Sequence, residues 1–272
     1  MKPNESQRKF NAILLSDIHL DFIDEEEREK FFEKLQGLQA DFFLIGGDIA
    51  DGRRALLFLE QLQTKVQKKI YFILGNHDFY GESIIVQRER AQMLTKRIPD
   101  LVYLTFSSYI PLSPELALVG SDGWADAQEG EFFLSNVSLR DYFEIEELKA
   151  CSREERFETL KELGQDLANS AEEKLKKALE LHDKVIFLTH PPPFRSVCLY
   201  EGSVTDDDWA PHFVCKAMGE MLTRVMLEHP SKNCVVYAGH SHHEAYAKIL
   251  PNLEVYVTGS IYGEPEFHSI SL

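Results

Sequence analysis

Five short segments of the chain end an apolar, strand-like run with residue types that bind metal ions. They are Asp17-Ile18-His19, Gly47-Asp48, Gly75-Asn76-His77-Asp78, Thr189-His190 and Gly239-His240-Ser241-His242. Because a strand delivers the residues that follow it to one edge of a sheet, several strands that end this way can bring their ligands to one point. The pattern therefore predicts a metal site at a sheet edge.

The donor atoms of this site would be oxygen and nitrogen only, from two Asp, one Asn and four His. That is too many for one tetrahedral ion, but it suits two adjacent cations bridged by a carboxylate. The set indicates a hydrolase that uses two metal ions. Because it contains no Cys, it argues against a preference for soft metals and leaves manganese, iron and zinc as alternatives.

The five segments differ in how strongly each indicates a metal site. Asp-x-His alone is more often structural. Gly-His-x-His is stronger, because two His separated by one residue leave a strand on the same side. In the third segment Asn76 is an unusual ligand, and Gly75 lets the backbone turn sharply before it. Together and in this order, the segments favour a metal site over an incidental arrangement.

Short apolar runs alternate with amphipathic ones, which is typical of α/β folds. The predicted strands are 12–16, 42–45, 70–74, 116–120, 185–189, 234–238, 245–249, 254–258 and 267–271. A helix should open at Asp24 with Glu27 as its capping-box partner, and others should cover 53–66, 83–97 and 214–228. The early order predicts right-handed parallel crossovers, whereas the closely spaced last strands suggest a second, more antiparallel sheet.

Residues 122–183 have the pattern of an insertion within a single domain that covers 1–272. The segment begins with a loop rich in Gly, Asp and Trp and continues as a long charged helix. Apolar residues at helical spacing mark that helix: Phe157, Leu160, Leu163, Leu167, Ala171 and Leu175.

Composition restricts the class of protein and its partners. With 272 residues, 44% of them hydrophobic, the chain can bury a large core. Four scattered cysteines, a polar stretch at 1–10 and no apolar run of about 20 residues predict a cytoplasmic protein without a membrane partner. The net charge of −16 disfavours long nucleic acids. The sequence does not indicate an oligomeric state.

The five segments resemble the motifs of the calcineurin-like metallophosphoesterases. In that family the motifs run D-x-H, G-D-x-x-D, G-N-H-D/E, H and G-H-x-H. The chain carries each in order: Asp17-Ile18-His19, Gly47-Asp48-Ile49-Ala50-Asp51, Gly75-Asn76-His77-Asp78, His190 and Gly239-His240-Ser241-His242. The resemblance spans about 13–242 and implies two mixed β-sheets sandwiched between helices, a four-layer αββα fold, with 122–183 outside the motifs.

The resemblance also implies a role for each ligand position. One metal ion would be held by Asp17, His19 and His242, and the second by Asn76, His190 and His240. Asp48 would bridge the two ions. Two divalent ions and two carboxylates leave a locally positive centre in an acidic protein, which favours a compact phosphorylated substrate. A water molecule whose pKa the ions lower would attack phosphorus.

His77 belongs to the third motif but, by the resemblance, not to the metal shell. Its expected role is to protonate the leaving oxygen or to contact the phosphoryl group. Asp51 would orient that imidazole, although the N-cap of a helix is an equally good interpretation of Asp51.

We therefore expect a binuclear metal-dependent phosphohydrolase that acts on a small phosphoester, more specifically a phosphodiester or nucleotide. The alternatives are a phosphomonoesterase or protein phosphatase, and an inactive binding scaffold of the same fold. In phosphoprotein phosphatases Arg-Gly follows the second motif, whereas here Asp51 is followed by Gly52-Arg53-Arg54. That difference weakens the protein-phosphatase alternative.

Substrate contacts must come from loops around the metal ions. The candidates are Trp124, Arg140, Arg195, Tyr200 and Trp209, for each of which ordinary packing or a surface ion pair is the alternative. An aromatic ring could stack on a base, and an Arg could hold a phosphate. Arg195 and Trp124 are the residues we select, Arg195 because a short proline segment joins it to His190.

Overall fold

Strands and helices alternate along the first third of the chain, as the apolar pattern predicts. The computed structural model describes residues 9–272, so most of the polar stretch 1–10 lies outside it. The strands are β1 (Asn11–Leu15), β2 (Phe42–Gly46), β3 (Lys69–Ile73), β4 (Leu101–Tyr103), β5 (Ile110–Pro111), β6 (Leu116–Gly120), β7 (Lys184–Leu188), β8 (Leu199–Tyr200), β9 (Ser203–Val204), β10 (Asn233–Ala238), β11 (Ala245–Leu250), β12 (Leu253–Val257) and β13 (His268–Ser271). The helices are α1 (Glu25–Gln36), α2 (Arg53–Val66), α3 (Ile84–Arg97), α4 (Asp141–Glu144), α5 (Arg153–Leu181), α6 (Ala210–Phe213) and α7 (Lys216–Glu228).

The first sheet has five strands in the order β13-β1-β2-β3-β4. Strands β1 to β4 are parallel, in the crossover arrangement that the sequence predicts. Strand β13 pairs antiparallel with β1, with Ala12 opposite Ile270. The prediction that this last strand belongs to the second sheet is therefore wrong, because the chain returns from the second sheet to cover the open edge of β1.

The second sheet has six strands in the order β11-β12-β10-β7-β6-β5. Its four central strands, β12, β10, β7 and β6, are parallel, and antiparallel pairing occurs only at the two edges. The prediction of a more antiparallel second sheet is thus wrong for its centre. The chain passes from β10 through the edge strand β11 and enters β12 in the direction of β10.

Successive side chains of a strand point to opposite faces of its sheet. One face of each sheet packs against the other sheet and the opposite face packs against helices, which gives four layers. In β1, Ala12 and Leu14 face the core between the two sheets, while Ile13 and Leu15 face the core that contains α1 and α2. Strand β7 also has one face toward each core. Ile186 packs in the core between the sheets, and other residues of the strand pack under α5 and α7. Strands β2, β6 and β7 are buried on both faces, as parallel strands with helical crossovers require.

Helix α1 begins as the sequence predicts. The Asp24 carboxylate accepts from the backbone N–H of Glu27 at 2.9 Å, and the Glu27 carboxylate accepts from the backbone N–H of Asp24 at 3.1 Å. Residues 121–183 connect β6 to β7 through a long loop, α4 and α5. Among the described residues, no helix combines the length and apolar character needed to cross a bilayer.

Candidate metal centre and cleft

The carboxyl ends of five strands from both sheets meet at one place. Strands β1, β2 and β3 lead to Asp17, Asp48 and Asn76, and strands β7 and β10 lead to His190 and the histidines after Gly239. Neighbouring turns are joined by backbone hydrogen bonds, such as the 3.0 Å bond from the N–H of Asp17 to the carbonyl of Gly47. The two sheets are joined here as well, because Asp17 Oδ1 accepts from the N–H of His240 at 2.9 Å.

Five of the seven predicted ligands have left-handed backbone conformations. Their φ angles are 53° at Asp17, 37° at His19, 52° at Asp48, 69° at His240 and 56° at His242. For a residue other than glycine this conformation costs about 1–3 kcal/mol and persists only where the surroundings enforce it. Such clustering of strained residues is typical of functional sites.

Four of the predicted ligands form the first group. The ligand atoms of Asp17, His19, Asp48 and His242 all lie within 4.8 Å of one another. The Nε2 atoms of His19 and His242 are 3.1 Å apart, and Asp17 Oδ1 is 3.5 Å from His242 Nε2. His19 and both carboxylates are almost fully buried, so these atoms share a small volume shielded from solvent.

The second group shares Asp48 with the first. It comprises Asp48, His190 and His240, again with ligand atoms within 4.8 Å of one another. His190 Nε2 lies 3.3 Å from Asp48 Oδ2 and 3.1 Å from Asn76 Oδ1, which places the predicted amide ligand in the same group. Asp48 therefore stands between two sets of donors.

Two motif glycines make this convergence possible. A Cβ atom on Gly75 would collide with the carboxylate of Asp48 and the ring of His190, and one on Gly239 would collide with the carboxylate of Asp17. Any larger residue at either position would have to displace a predicted ligand.

Burial and neighbouring charges shift the pKa values of several of these ligands in the protein without metal ions. Burial lowers the pKa of His19 to about 4 and that of His240 to about 3. Burial would raise the pKa of Asp17, but the charge of His190 and the hydrogen bond and charge of His242 together outweigh it and lower this pKa to about 2. For His190 itself the carboxylates of Asp48 and Asp17 outweigh burial and raise the pKa to about 10. A bound cation would replace that proton as the partner of the carboxylates.

The donor set fits two divalent cations. It offers carboxylates, imidazoles and an amide oxygen, without a thiolate, which suits manganese, iron or zinc. The Nε2 atoms of His19 and His242 approach each other beside Asp17. Three donor atoms therefore lie around one point, as the binding of one cation by all three requires.

Asp78, the last residue of the third motif, holds two of the ligand turns together. Its buried carboxylate accepts from the backbone N–H groups of Asp48 at 2.9 Å, Ile49 at 2.8 Å, Ala50 at 3.2 Å and Gly75 at 2.8 Å. The motif alone does not predict this role for Asp78.

His77 lies beside the two groups and forms a chain with two further residues. Its Nδ1 is 3.0 Å from Asp51 Oδ1, and Asp51 Oδ2 accepts from Arg140 Nη2 at 3.2 Å. Burial would lower the pKa of His77, but the charge of Asp48 and the hydrogen bond to Asp51 raise it to about 9. The N-cap interpretation of Asp51 is wrong, because Gly52 is the N-cap of α2 and no side chain caps it.

A cleft of about 550 Å³ opens over His77 and the candidate metal centre. It is lined by Phe22, Asp48, Asn76, His77, Tyr80, Leu139, Arg140, Asp141, Tyr200, Phe213, His240, Ser241, His242, His243 and Tyr262. The exposed rings of Phe22 and Tyr262 lie 4.6 Å apart, and the Tyr262 ring lies 4.5 Å from that of His19. The cleft thus combines metal-binding donors with an aromatic wall.

Comparison with known proteins identifies the family. The family model described as calcineurin-like phosphoesterase matches residues 10–244. The chain belongs to the calcineurin-like phosphoesterases. The resemblance inferred from the motifs is thereby confirmed, and the protein is a metal-dependent phosphoester hydrolase.

Solved structures show the same fold at low sequence identity. A phosphopantetheinyl hydrolase from Mycobacterium tuberculosis is 13% identical with a TM-score of 0.64, over 92% of this chain and 89% of that one. A dimetal phosphatase from Danio rerio is 15% identical with a TM-score of 0.58, over 92% of this chain and 87% of that one. No curated protein matches the chain in a sequence comparison.

In this calcineurin-like phosphoesterase the five candidate substrate contacts lie in different places. Arg140 and Tyr200 line the cleft, and Trp209 stacks on Tyr200 at 4.7 Å. Trp124 is buried, with its ring 5.5 Å from that of Phe79, and it lines a narrow cavity beside Asn76, His190 and His240. Its contact with substrate stays a prediction.

Arg195 faces away from the cleft. Its guanidinium donates to Asp207 Oδ1 at 2.5 Å and to the carbonyl of Thr205 at 2.8 Å, and it lines a separate groove beside Phe194. The prediction that Arg195 holds the phosphate is therefore wrong, because the chain turns away after the proline segment and an ion pair takes up the charge.

Asp141 and Tyr262 are cleft residues that the sequence analysis missed. Asp141 is buried, and its Oδ1 accepts from Asn76 Nδ2 at 2.9 Å and from the hydroxyl of Tyr80 at 2.7 Å. Because this bond fixes the amide nitrogen of Asn76, it also fixes the opposite amide oxygen, Oδ1, beside His190. No motif or periodicity marks either residue in the sequence.

We predict that Asp141→Ala weakens binding of the second metal ion by about 10–100-fold, the usual effect of removing a group that orients a ligand. Asp141→Asn should lose less, because its amide oxygen can still accept from Asn76. Calorimetric titration of metal-free protein with manganese measures the effect. Asp183→Ala, which removes an exposed carboxylate paired with Lys232, is the control. Equal manganese affinity in Asp141→Ala and wild type would refute the orienting role.

Proposed function

We propose that this phosphoesterase hydrolyses a small phosphodiester or nucleotide with two metal ions. The observation that carries the proposal is the position of Asp48 between two groups of donors. Asp17, His19 and His242 would hold one ion, and Asn76, His190 and His240 the other. When bound, the ions supply Lewis-acid stabilisation of phosphoryl oxygens and lower the pKa of a water molecule.

The residues of the chain then provide binding and proton transfer. Asp51 holds Nδ1 of His77, which leaves Nε2 on the side of Tyr262 within the cleft, 3.5 Å from that hydroxyl. Protonated His77 donates its proton to the leaving oxygen, and Asp51, which pairs with Nδ1, stabilises the protonated imidazole. Arg140 fixes Asp51 from the other side.

Charge in the cleft favours a diester over a monoester. A phosphodiester carries one negative charge, whereas a phosphomonoester carries about 1.5–2 at neutral pH. Among residues 9–272, Arg140 is the one Lys or Arg in the cleft lining, and it is bound to Asp51. Arg54 pairs with Asp21 at 3.0 Å and does not line the cleft.

The size and aromatic wall of the cleft favour a substrate with a planar group. A volume of about 550 Å³ holds a small organic molecule. Phe22 and Tyr262 are 48% and 45% exposed, so part of each ring remains available to contact a substrate beside the metal-binding donors. We also retain a cytoplasmic location as part of the proposal, on the basis of four cysteines that form no disulfide.

A pair of model substrates tests the substrate class. With manganese added, we expect kcat/KM on bis-p-nitrophenyl phosphate to exceed that on p-nitrophenyl phosphate by at least about tenfold, or ~1.4 kcal/mol. The reverse preference would identify a phosphomonoesterase. Failure of both reactions after addition of manganese, iron or zinc would support the inactive scaffold.

A further inference from the structure

A second polar cavity lies next to the metal centre but outside the cleft. Its volume is about 270 Å³, and it is lined by Phe132, Ser135, Asn136, Val137, Ser138, Tyr142, Arg153, Arg156 and His212. The side chain of His212 faces this cavity, while its carbonyl lies 3.3 Å from Nε2 of His240. His212 therefore separates the cavity from the candidate metal ligands.

Two guanidinium groups, from Arg153 and Arg156, give this cavity a positive charge. The described residues of the lining include no Asp or Glu, although the whole chain carries a net charge of −16. No ion pair involves either arginine among residues 9–272, whereas other arginines of the protein, such as Arg97 with Glu60, pair with carboxylates. Asp208, the acidic residue nearby, accepts instead from the backbone N–H of Asn136 at 3.0 Å.

Backbone carbonyls hold Arg153 in a fixed orientation. Its Nε and Nη2 donate to the carbonyl of Phe132, the former at 3.1 Å, and Nη2 also donates to the carbonyl of Ser135. These bonds leave Nη1 without a hydrogen-bond partner in the described part of the chain. The group is thus oriented without being neutralised.

Arg156 is held in a similar way. Its Nε and Nη2 donate to the carbonyls of Leu148 at 3.3 Å and Cys151 at 3.4 Å, and the guanidinium lies over the ring of Tyr142, 4.5 Å from its centre. Nη1 again has no hydrogen-bond partner within 9–272. Two guanidinium groups that line one cavity, each with an Nη1 that has no partner in this range, offer charged N–H donors of the kind that bind phosphate.

We infer that this cavity, which we call the arginine pocket, binds the phosphoryl group of a small molecule at a site separate from the metal centre. Arg153 and Arg156 supply the charge, and the exposed Ser138 supplies a hydroxyl group at the rim. Removing the anion from water costs free energy. That cost is easier to offset because each guanidinium is already oriented and loses little conformational entropy when the ligand binds. The inference does not depend on the reaction proposed for the cleft.

Titration of the manganese-loaded enzyme with inorganic phosphate tests this site. We expect two binding events in the wild type, one at the metal centre and one at the arginine pocket. Arg156→Gln should weaken the second event by at least about tenfold, because a charged hydrogen-bond donor is lost, and should leave hydrolysis in the cleft unchanged. Arg97→Gln, which removes the same charge from an exposed ion pair, should keep both events.

A second variant and a second measurement separate binding from folding. Arg156→Lys keeps the charge but loses the planar fork, so its phosphate affinity should lie between those of wild type and Arg156→Gln. A crystal soaked in tungstate should show anomalous density between Arg153 and Arg156. The inference is overturned if phosphate binds Arg156→Gln as it binds the wild type, or if tungstate occupies the metal centre alone.

Discussion

Asp48→Asn should reduce turnover by about 10³-fold and reduce the bound metal from two ions to at most one. Oδ2 of Asp48 lies 3.3 Å from His190 Nε2 and 3.9 Å from His19 Nε2, so one carboxylate serves both groups of donors. The amide of Asn has the same shape but no charge to offset two cations. The expected loss corresponds to several kcal/mol of transition-state stabilisation.

The fold should survive this substitution. The oxygen that accepts from the backbone N–H of His77 at 2.9 Å can be replaced by the amide oxygen of Asn, and the residue is already buried. Elemental analysis of the purified variant together with steady-state kinetics measures both effects. Asp183→Asn, at the exposed ion pair with Lys232, is the control. Two ions bound at wild-type affinity in Asp48→Asn would show that Asp48 does not bridge.

His77→Asn should lower turnover by about 10²–10⁴-fold while both metal ions remain bound, because the variant removes a proton donor and not a ligand. The loss should be larger for a diester with an alkyl leaving group than for bis-p-nitrophenyl phosphate, since a poor leaving group depends more on protonation. The ratio of kcat values between the two substrates, compared between wild type and variant, measures this difference.

Asp51→Asn provides a graded comparison for His77. It keeps a hydrogen-bond acceptor for Nδ1 but removes the charge that contributes to the raised pKa of His77. Its turnover should fall less than that of His77→Asn, and its metal content should match wild type. Unchanged turnover of His77→Asn on the alkyl diester would contradict the role of general acid.

The metal centre could be predicted from the sequence because each of its ligands is marked by the residues next to it in the chain. Each ligand directly follows an apolar strand, and parallel strands of one layer end on the same side. The seven predicted ligands, from Asp17 to His242, accordingly lie together in the structure. The motif glycines are explained by the same local geometry, since Gly75 and Gly239 leave room for carboxylates of other strands.

The surroundings of the centre could not be predicted in this way. Asp141 lies 65 residues from Asn76, in the part of the connection before α5 that shows no periodicity, so their hydrogen bond depends on how that loop folds back. The position of Arg195 depends on the direction of the chain after the proline segment and on the charge of Asp207. Long-range effects of the same kind decide that β13 joins β1.

The number and position of bound metal ions test the central claim most directly. Elemental analysis should find two ions per chain after loading with manganese. Anomalous diffraction should then place one ion among Asp17, His19 and His242 and the other among Asn76, His190 and His240, with Asp48 in contact with both. A single ion, or two ions bound elsewhere with these side chains uncoordinated, would contradict the account.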